Sequence, residues 1–255
     1  MSIDFGLTAD DYARHRAGFP DSFFDAVASR GIGVPGQRVV DLGTGTGTLA
    51  RGFARRGCQV VGIDPSESML AQARRLSEQE GLVVDYSQGV AEATGLADES
   101  ADVVVAGQCW HWFNGPRAAE EVRRVLRPGG AVGVAHFDWI PLRGNVVEAT
   151  EHLIEAHNPA WRYGGGTGLH PRWLRELAEA GFEDLATFSY DVFAPYTHAD
   201  WRGRIRASAG VGASLTAEQV AAFDSDLAAL LAERFPAPIL QVHHRVWAVI
   251  GRKPT

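Results

Sequence analysis

Residues 39–49 read Val-Val-Asp-Leu-Gly-Thr-Gly-Thr-Gly-Thr-Leu, and this stretch limits the fold more than any other. A short apolar run meets an acid, Asp41, and then glycine at positions 43, 45 and 47. Glycine lacks Cβ, so the backbone can turn tightly there and a ligand can approach the main chain closely. Such spacing between an apolar strand and an amphipathic helix predicts a nucleotide-type cofactor across the first strand-to-helix turn.

The flanking pattern supports that placement. Apolar strands at 38–42, 59–63, 82–87, 101–106 and 131–137 alternate with helical stretches at 49–56, from 66 to a stop at Gly81, and at 116–126. This alternation implies right-handed crossovers and an open parallel sheet with helices on both faces. Ligands of such sheets lie beyond the carboxyl ends of the strands, beside strand one, on the edge where the loops after strands one to four emerge. Ahead of strand one, residues 8–30 read as one or two helices. Tyr12 and Arg16 are four apart there, on one helix face. They belong either to a surface helix or to a lid carrying a ring and a cation toward the glycine loop.

Beyond residue 137 the sequence predicts helices at 145–157, 171–180, about 197–209 and 216–234. Strands are predicted at 185–190 and 242–251, and a glycine-rich loop at 164–168. No repeat or linker marks a second domain. The chain therefore reads as a single domain over 1–255, with 141–169 and 195–240 as insertions that form a substrate cap.

Composition excludes several classes. A formal charge of −7 offers no basic footprint for nucleic acid and disfavours anionic membrane surfaces. No apolar run approaches the roughly 18 residues that span a bilayer. The first residues lack the basic and apolar regions of a signal peptide, and Cys58 and Cys109 suit a reducing compartment as free thiols, so a cytoplasmic location is expected. No histidines fall as H-x-x-x-H, and the adjacent His243 and His244 should point to opposite faces of a strand. No phosphate loop or serine-hydrolase elbow is present. Metal and phosphoryl chemistry are set aside, and no metal is expected.

Two cofactor classes use glycine loops of this kind. A dinucleotide turn wants a third small residue where this chain has Thr48. The spacing present is D-x-G-x-G-x-G over residues 41–47, followed by Gly62-Ile63-Asp64 and, before strand five, Arg127-Pro128-Gly129-Gly130. On these residues the chain resembles the class I S-adenosylmethionine-dependent methyltransferases of the small-molecule, type 11-like kind, over about 8–140. The resemblance implies a Rossmann-like, mostly parallel seven-stranded sheet with helices on both faces and an antiparallel last strand between strands five and six. It also implies S-adenosylmethionine as cofactor. Gly43, Thr44 and Gly45 would admit its methionine part, Asp41 would orient that loop, and Asp64 would take the ribose hydroxyls. Met69 would lie against the adenine, or pack in the core. Many family members carry an acid where this chain has Val90, so backbone groups of Val90 and Ala91, or the side chain of Glu92, would serve the adenine. Gln108 would contact the methionine end, and Tyr12 and Arg16 match the family's N-terminal lid, with Arg16 placed to pair with a carboxylate.

Methyl transfer asks mainly for alignment and exclusion of water. His111 in Cys109-Trp110-His111-Trp112-Phe113 is the candidate general base, with packing among aromatics as its alternative and His136 as a second candidate. Trp110, Trp112 and Phe113 would either wall a pocket for a partly apolar or aromatic small-molecule acceptor or sit in the core. An oxygen or nitrogen nucleophile is expected ahead of carbon. The rivals are an NAD(P)-dependent oxidoreductase and a non-methylating S-adenosylmethionine-binding protein. Oligomeric state is not encoded in these motifs.

Overall fold

The structure, a computed structural model, describes residues 18–255. Tyr12 and Arg16 lie outside them. The described residues fall into two compact units. One comprises 18–137, 169–190 and 246–255; the other comprises 138–168 and 191–245.

Pro20 starts α1 (Asp21–Ala28), which buries Phe23, Phe24 and Val27. Then follow β1 (Arg38–Leu42), α2 (Thr48–Ala54), β2 (Gln59–Asp64), α3 (Glu67–Gln79), β3 (Asp85–Gln88) and β4 (Ala101–Gly107). A single 3-10 turn, Trp110–Trp112, leads into α4 (Gly115–Val125), β5 (Leu126–Trp139), α5 (Val146–His157) and α6 (Pro171–Glu179). The chain ends with β6 (Glu183–Thr197), α7 (His198–Arg206), α8 (Ala217–Arg234) and β7 (Ile239–Arg252). The sheet order is β3-β2-β1-β4-β5-β7-β6, with β7 antiparallel and the other six strands parallel. That is the expected Rossmann-like arrangement, and its switch point lies between β1 and β4.

Several boundaries differ from the sequence expectation. β3 begins at Asp85, not residue 82, because Val83 is 88% exposed at the sheet edge and takes no part in the ladder. β5 extends back through Arg127-Pro128-Gly129-Gly130 to Leu126, which pairs with Ala101. The next pair is Ala131 with Val103, so the Pro-Gly-Gly segment is absorbed as a bulge in the strand. β6 runs to Thr197, well past residue 190. Its alternating polar residues suit an edge strand, but its Pro195 argues against a strand when the sequence is read alone.

Each unit has its own core. In the first, Val40, Leu42, Val104, Leu126, Val134 and Leu177 are essentially inaccessible, and Cys58 and Cys109 are buried thiols outside any disulfide. In the second, α5, α7 and α8 close over Val147, Ile154, Trp201, Ile205, Phe223 and Leu227. His243 and His244 do face opposite ways. His243 Nε2 meets Asp191 at 2.8 Å, whereas His244 is 2% exposed and its Nδ1 lies 3.0 Å from the Val242 carbonyl.

Burial pushes His244 down from 6.5 to about 4, and Arg204 and His243 press the same way against Asp138 and the Val242 carbonyl. Its folded pKa is depressed, so its contribution is intact above pH 6.5 and is lost as pH falls toward 4. The loss is about 3 kcal/mol. His244→Phe should flatten that part of the urea-midpoint profile between pH 6.5 and 4, measured against wild type by circular dichroism. An unchanged difference curve would rule the effect out.

Candidate active site

The turn after β1 holds three glycines in the left-handed region, Gly43 at φ 61°, Gly45 at φ 55° and Gly47 at φ 79°. Their reasons differ. A Cβ on Gly43 would stand 2.9 Å from Cys109 Cβ and Sγ, and one on Gly47 would stand 2.3 Å from the Tyr86 hydroxyl. Among the described residues, a Cβ on Gly45 would meet nothing within 4 Å. Protein packing therefore demands Gly43 and Gly47, whereas no described residue covers the backbone at Gly45.

Two buried carboxylates shape this turn. Asp41, on β1 and 2% exposed, accepts from Thr44 Oγ1 at 2.7 Å and from the Ala50 amide at 3.1 Å. It ties the turn to the first residues of α2. Burial raises its pKa from 3.8 to about 7, against the lowering effect of both donors. Asp64, at the end of β2, accepts from the Gly45 amide through Oδ2 at 2.8 Å and from the Ser66 amide through Oδ1 at 2.9 Å. Its pKa is raised, chiefly by burial. Each carboxylate oxygen can accept two hydrogen bonds, so both retain capacity for a hydroxyl. The Thr44 amide donates to the Ile63 carbonyl at 3.0 Å, closing the turn onto β2. Asp41 with Thr44, and Asp64 with Gly45, thus form two hydrogen-bonded pairs within one turn.

The other expected residues are placed less uniformly. Met69 is 5% exposed, on the first turn of α3 behind the Ser66 cap. Ala91 is buried, while Val90 is 45% exposed and bridges to Ala93. Glu92 Oε1 accepts the Asn114 amide at 2.7 Å, which links the loop after β3 to the start of α4 and commits part of that carboxylate. Gln108 sits at φ 62°, a left-handed non-glycine residue at the end of β4, with its amide on the Ala135 carbonyl. Such strain at a strand end is typical of functional sites. The Cys109 thiol donates to the Leu42 carbonyl at 3.1 Å and joins this loop to the glycine turn.

The aromatic run divides. Trp110 is 2% exposed and its Nε1 donates to Glu176 at 2.8 Å, so it is core and not a pocket wall as one reading allowed. Its indole enters because α6 supplies a buried carboxylate for the N–H. Trp112 is 43% exposed, His111 is exposed and Phe113 is half-buried. His111 and His136 rings are 5.4 Å apart. Sequence reasoning missed Tyr86, whose ring covers Gly62 and whose hydroxyl, 3.0 Å from Ser77 Oγ, fills the space over Gly47. A glycine inside β2 was the available signal, since strand glycines often mark close approach. Glu176 was missed because nothing local marks it.

A left-handed glycine turn after the first strand, a carboxylate ending the second and this strand order define a Rossmann-like α/β protein. Residues 40–134 match the family model described as a methyltransferase domain. An uncharacterised methyltransferase of Mycobacterium tuberculosis is 35% identical over 153 residues, 58% of this chain and 60% of that protein. Phosphoethanolamine N-methyltransferase 2 of Haemonchus contortus, in complex with S-adenosyl-L-methionine, has TM-score 0.57 at 19% identity, covering 98% of this chain and 57% of that one. The [4+2]-cyclase SpnF has TM-score 0.58 at 25% identity, covering 94% and 85%. Residues 40–134 are thus similar to a methyltransferase domain within a Rossmann-like fold, and the chain spans about 60% of the length of the first curated relatives it matches. Among the described residues no helix is long and apolar enough to cross a membrane.

Proposed function

We propose that this protein transfers the methyl group of S-adenosylmethionine to an oxygen or nitrogen of a small molecule. The carrying observation is the Gly45 backbone, which no described residue covers, beside the Asp64 carboxylate, so that room for a ligand and hydroxyl acceptors fall in one place. Bound there, the cofactor supplies an already activated methyl group on sulfur. Gly43, Thr44 and Gly45 receive its methionine part, Asp64 its ribose, and the stretch from Ala91 to Glu92 with Met69 its adenine. Gln108 faces the methionine end, and Tyr12 and Arg16 are assigned to the lid.

The chain aligns the acceptor and excludes water, and His111 takes the proton of the incoming nucleophile. The exposed Trp112 and half-buried Phe113 in the same loop suit a partly apolar or aromatic acceptor. Selection of that acceptor is assigned to 141–169 and 195–240. A cytoplasmic location accords with the thiol state of both cysteines.

Calorimetry with S-adenosylhomocysteine and mass spectrometry of products from labelled cofactor test the reading. Failure of the full chain to bind either form of the cofactor would end it. A dinucleotide that bound in their place would favour the oxidoreductase. A second reading is a non-methylating S-adenosylmethionine-binding protein, in keeping with a likeness to a protein described as a cyclase, and binding without any labelled product would select it. His111→Ala should lower kcat about 100-fold with cofactor affinity unchanged, the low end for a general base. Unchanged turnover would reduce His111 to packing.

A further inference from the structure

His136 comes from the carboxyl end of β5, and His170 is the residue before the first turn of α6. They are remote in sequence, yet their rings stand 4.7 Å apart, tilted by 47°. Each offers a ring nitrogen, and those donor atoms lie within 4.8 Å of each other. Both side chains are half-buried. His170 lies flat on the buried Trp173, with centroids 4.0 Å apart and planes 3° from parallel. Trp173 also borders His136 at 5.6 Å. The indole therefore fixes one ring plane and flanks the other, and stacking leaves the edge of His170, which carries both nitrogens, uncovered by Trp173.

We propose that His136 and His170 form a binding site for a divalent transition-metal ion. Two imidazole nitrogens on one tetrahedral ion, each about 2.0–2.1 Å from the metal, stand roughly 3.4 Å apart. Donor atoms that lie within 4.8 Å close to that separation by rotation of the His136 ring, with His170 kept on Trp173. Imidazole favours copper, nickel and zinc over magnesium or calcium, so the site takes the former group. With two protein nitrogens the ion keeps further positions for water or for an oxygen donor on a bound small molecule. The spacing rules for metal motifs cannot reveal this pair, because its members come from separate elements. The inference does not depend on methyl transfer.

The test uses the untagged full chain stripped with chelator and titrated with Cu2+, Ni2+ and Zn2+ by calorimetry. One ion per chain is expected, with copper tightest. His136→Gln and His170→Gln should each weaken binding at least tenfold while leaving the circular dichroism spectrum intact. His157→Gln, at a histidine paired with Asp226, should change nothing. No binding by the wild-type chain, or equal affinity in all three variants, would overturn the proposal. If a glutamine variant fails to fold, loss of the His136 and His170 ring signals on adding paramagnetic Cu2+ to the wild type decides the same question.

Discussion

Asp64→Ala should lower the affinity for S-adenosylhomocysteine by about 100-fold, the largest effect expected of any single side chain in the turn. The carboxylate offers both oxygens to hydroxyls while it already holds the Gly45 and Ser66 amides. Hydrogen bonds to a charged group contribute about 1.5–3 kcal/mol each, and 2.7 kcal/mol corresponds to 100-fold. Alanine removes the ligand's acceptors and also releases the Gly45 amide that sets the open face of the turn. Asp64→Asn keeps one acceptor oxygen and should fall between, near tenfold. Calorimetry gives both affinities, and thermal unfolding without ligand separates the loss of the loop anchor. Affinities within threefold of wild type in both variants would remove Asp64 from the site.

Asp41→Asn should part stability from ligand affinity. In the folded chain Asp41 titrates near 7 and in the unfolded chain near 3.8, because burial disfavours its charge. Between those values the folded state holds a proton that the unfolded state has released. The group's contribution is thus fully present below about pH 4 and is lost as pH rises through 7. A shift of this size corresponds to roughly 4 kcal/mol as an upper bound. Asparagine cannot ionise, so the variant without ligand should be flatter across this range and at least as stable as wild type at pH 8. Its affinity for the cationic cofactor should nevertheless drop and no longer rise between pH 6 and 8, where wild type gains the charge. Urea midpoints and calorimetry at pH 6, 7 and 8 check both halves. A variant that lost stability at pH 8 and kept a rising affinity would contradict the assignment.

These effects reach from one residue into the fold because the turn is shared property. Asp41 holds Thr44 and α2, Thr44 holds β2, and Asp64 holds Gly45. Cys109 and Glu92 bring in the loops after β4 and β3. A change at any member moves several segments, so variant affinities should be read beside unfolding data.

The sequence by itself determined the strand-and-helix alternation, the glycine turn and the acidic end of β2. Those features are local. A buried parallel strand needs a short apolar run, and a left-handed backbone needs glycine. An acid that ends a strand is likewise read directly at its position, all within a few residues. The tertiary structure decided the rest. Trp110 goes inward and Trp112 outward because Glu176, from a distant helix, receives only the first indole. Gly43 and Gly47 are required by Cys109 and Tyr86, whereas no described residue covers Gly45, a distinction that identical glycines in one motif cannot show. Glu92 is partly committed to Asn114, and His136 meets His170 across a long stretch of chain. Each depends on which remote segments the sheet order brings together, and no period or spacing along the chain records that.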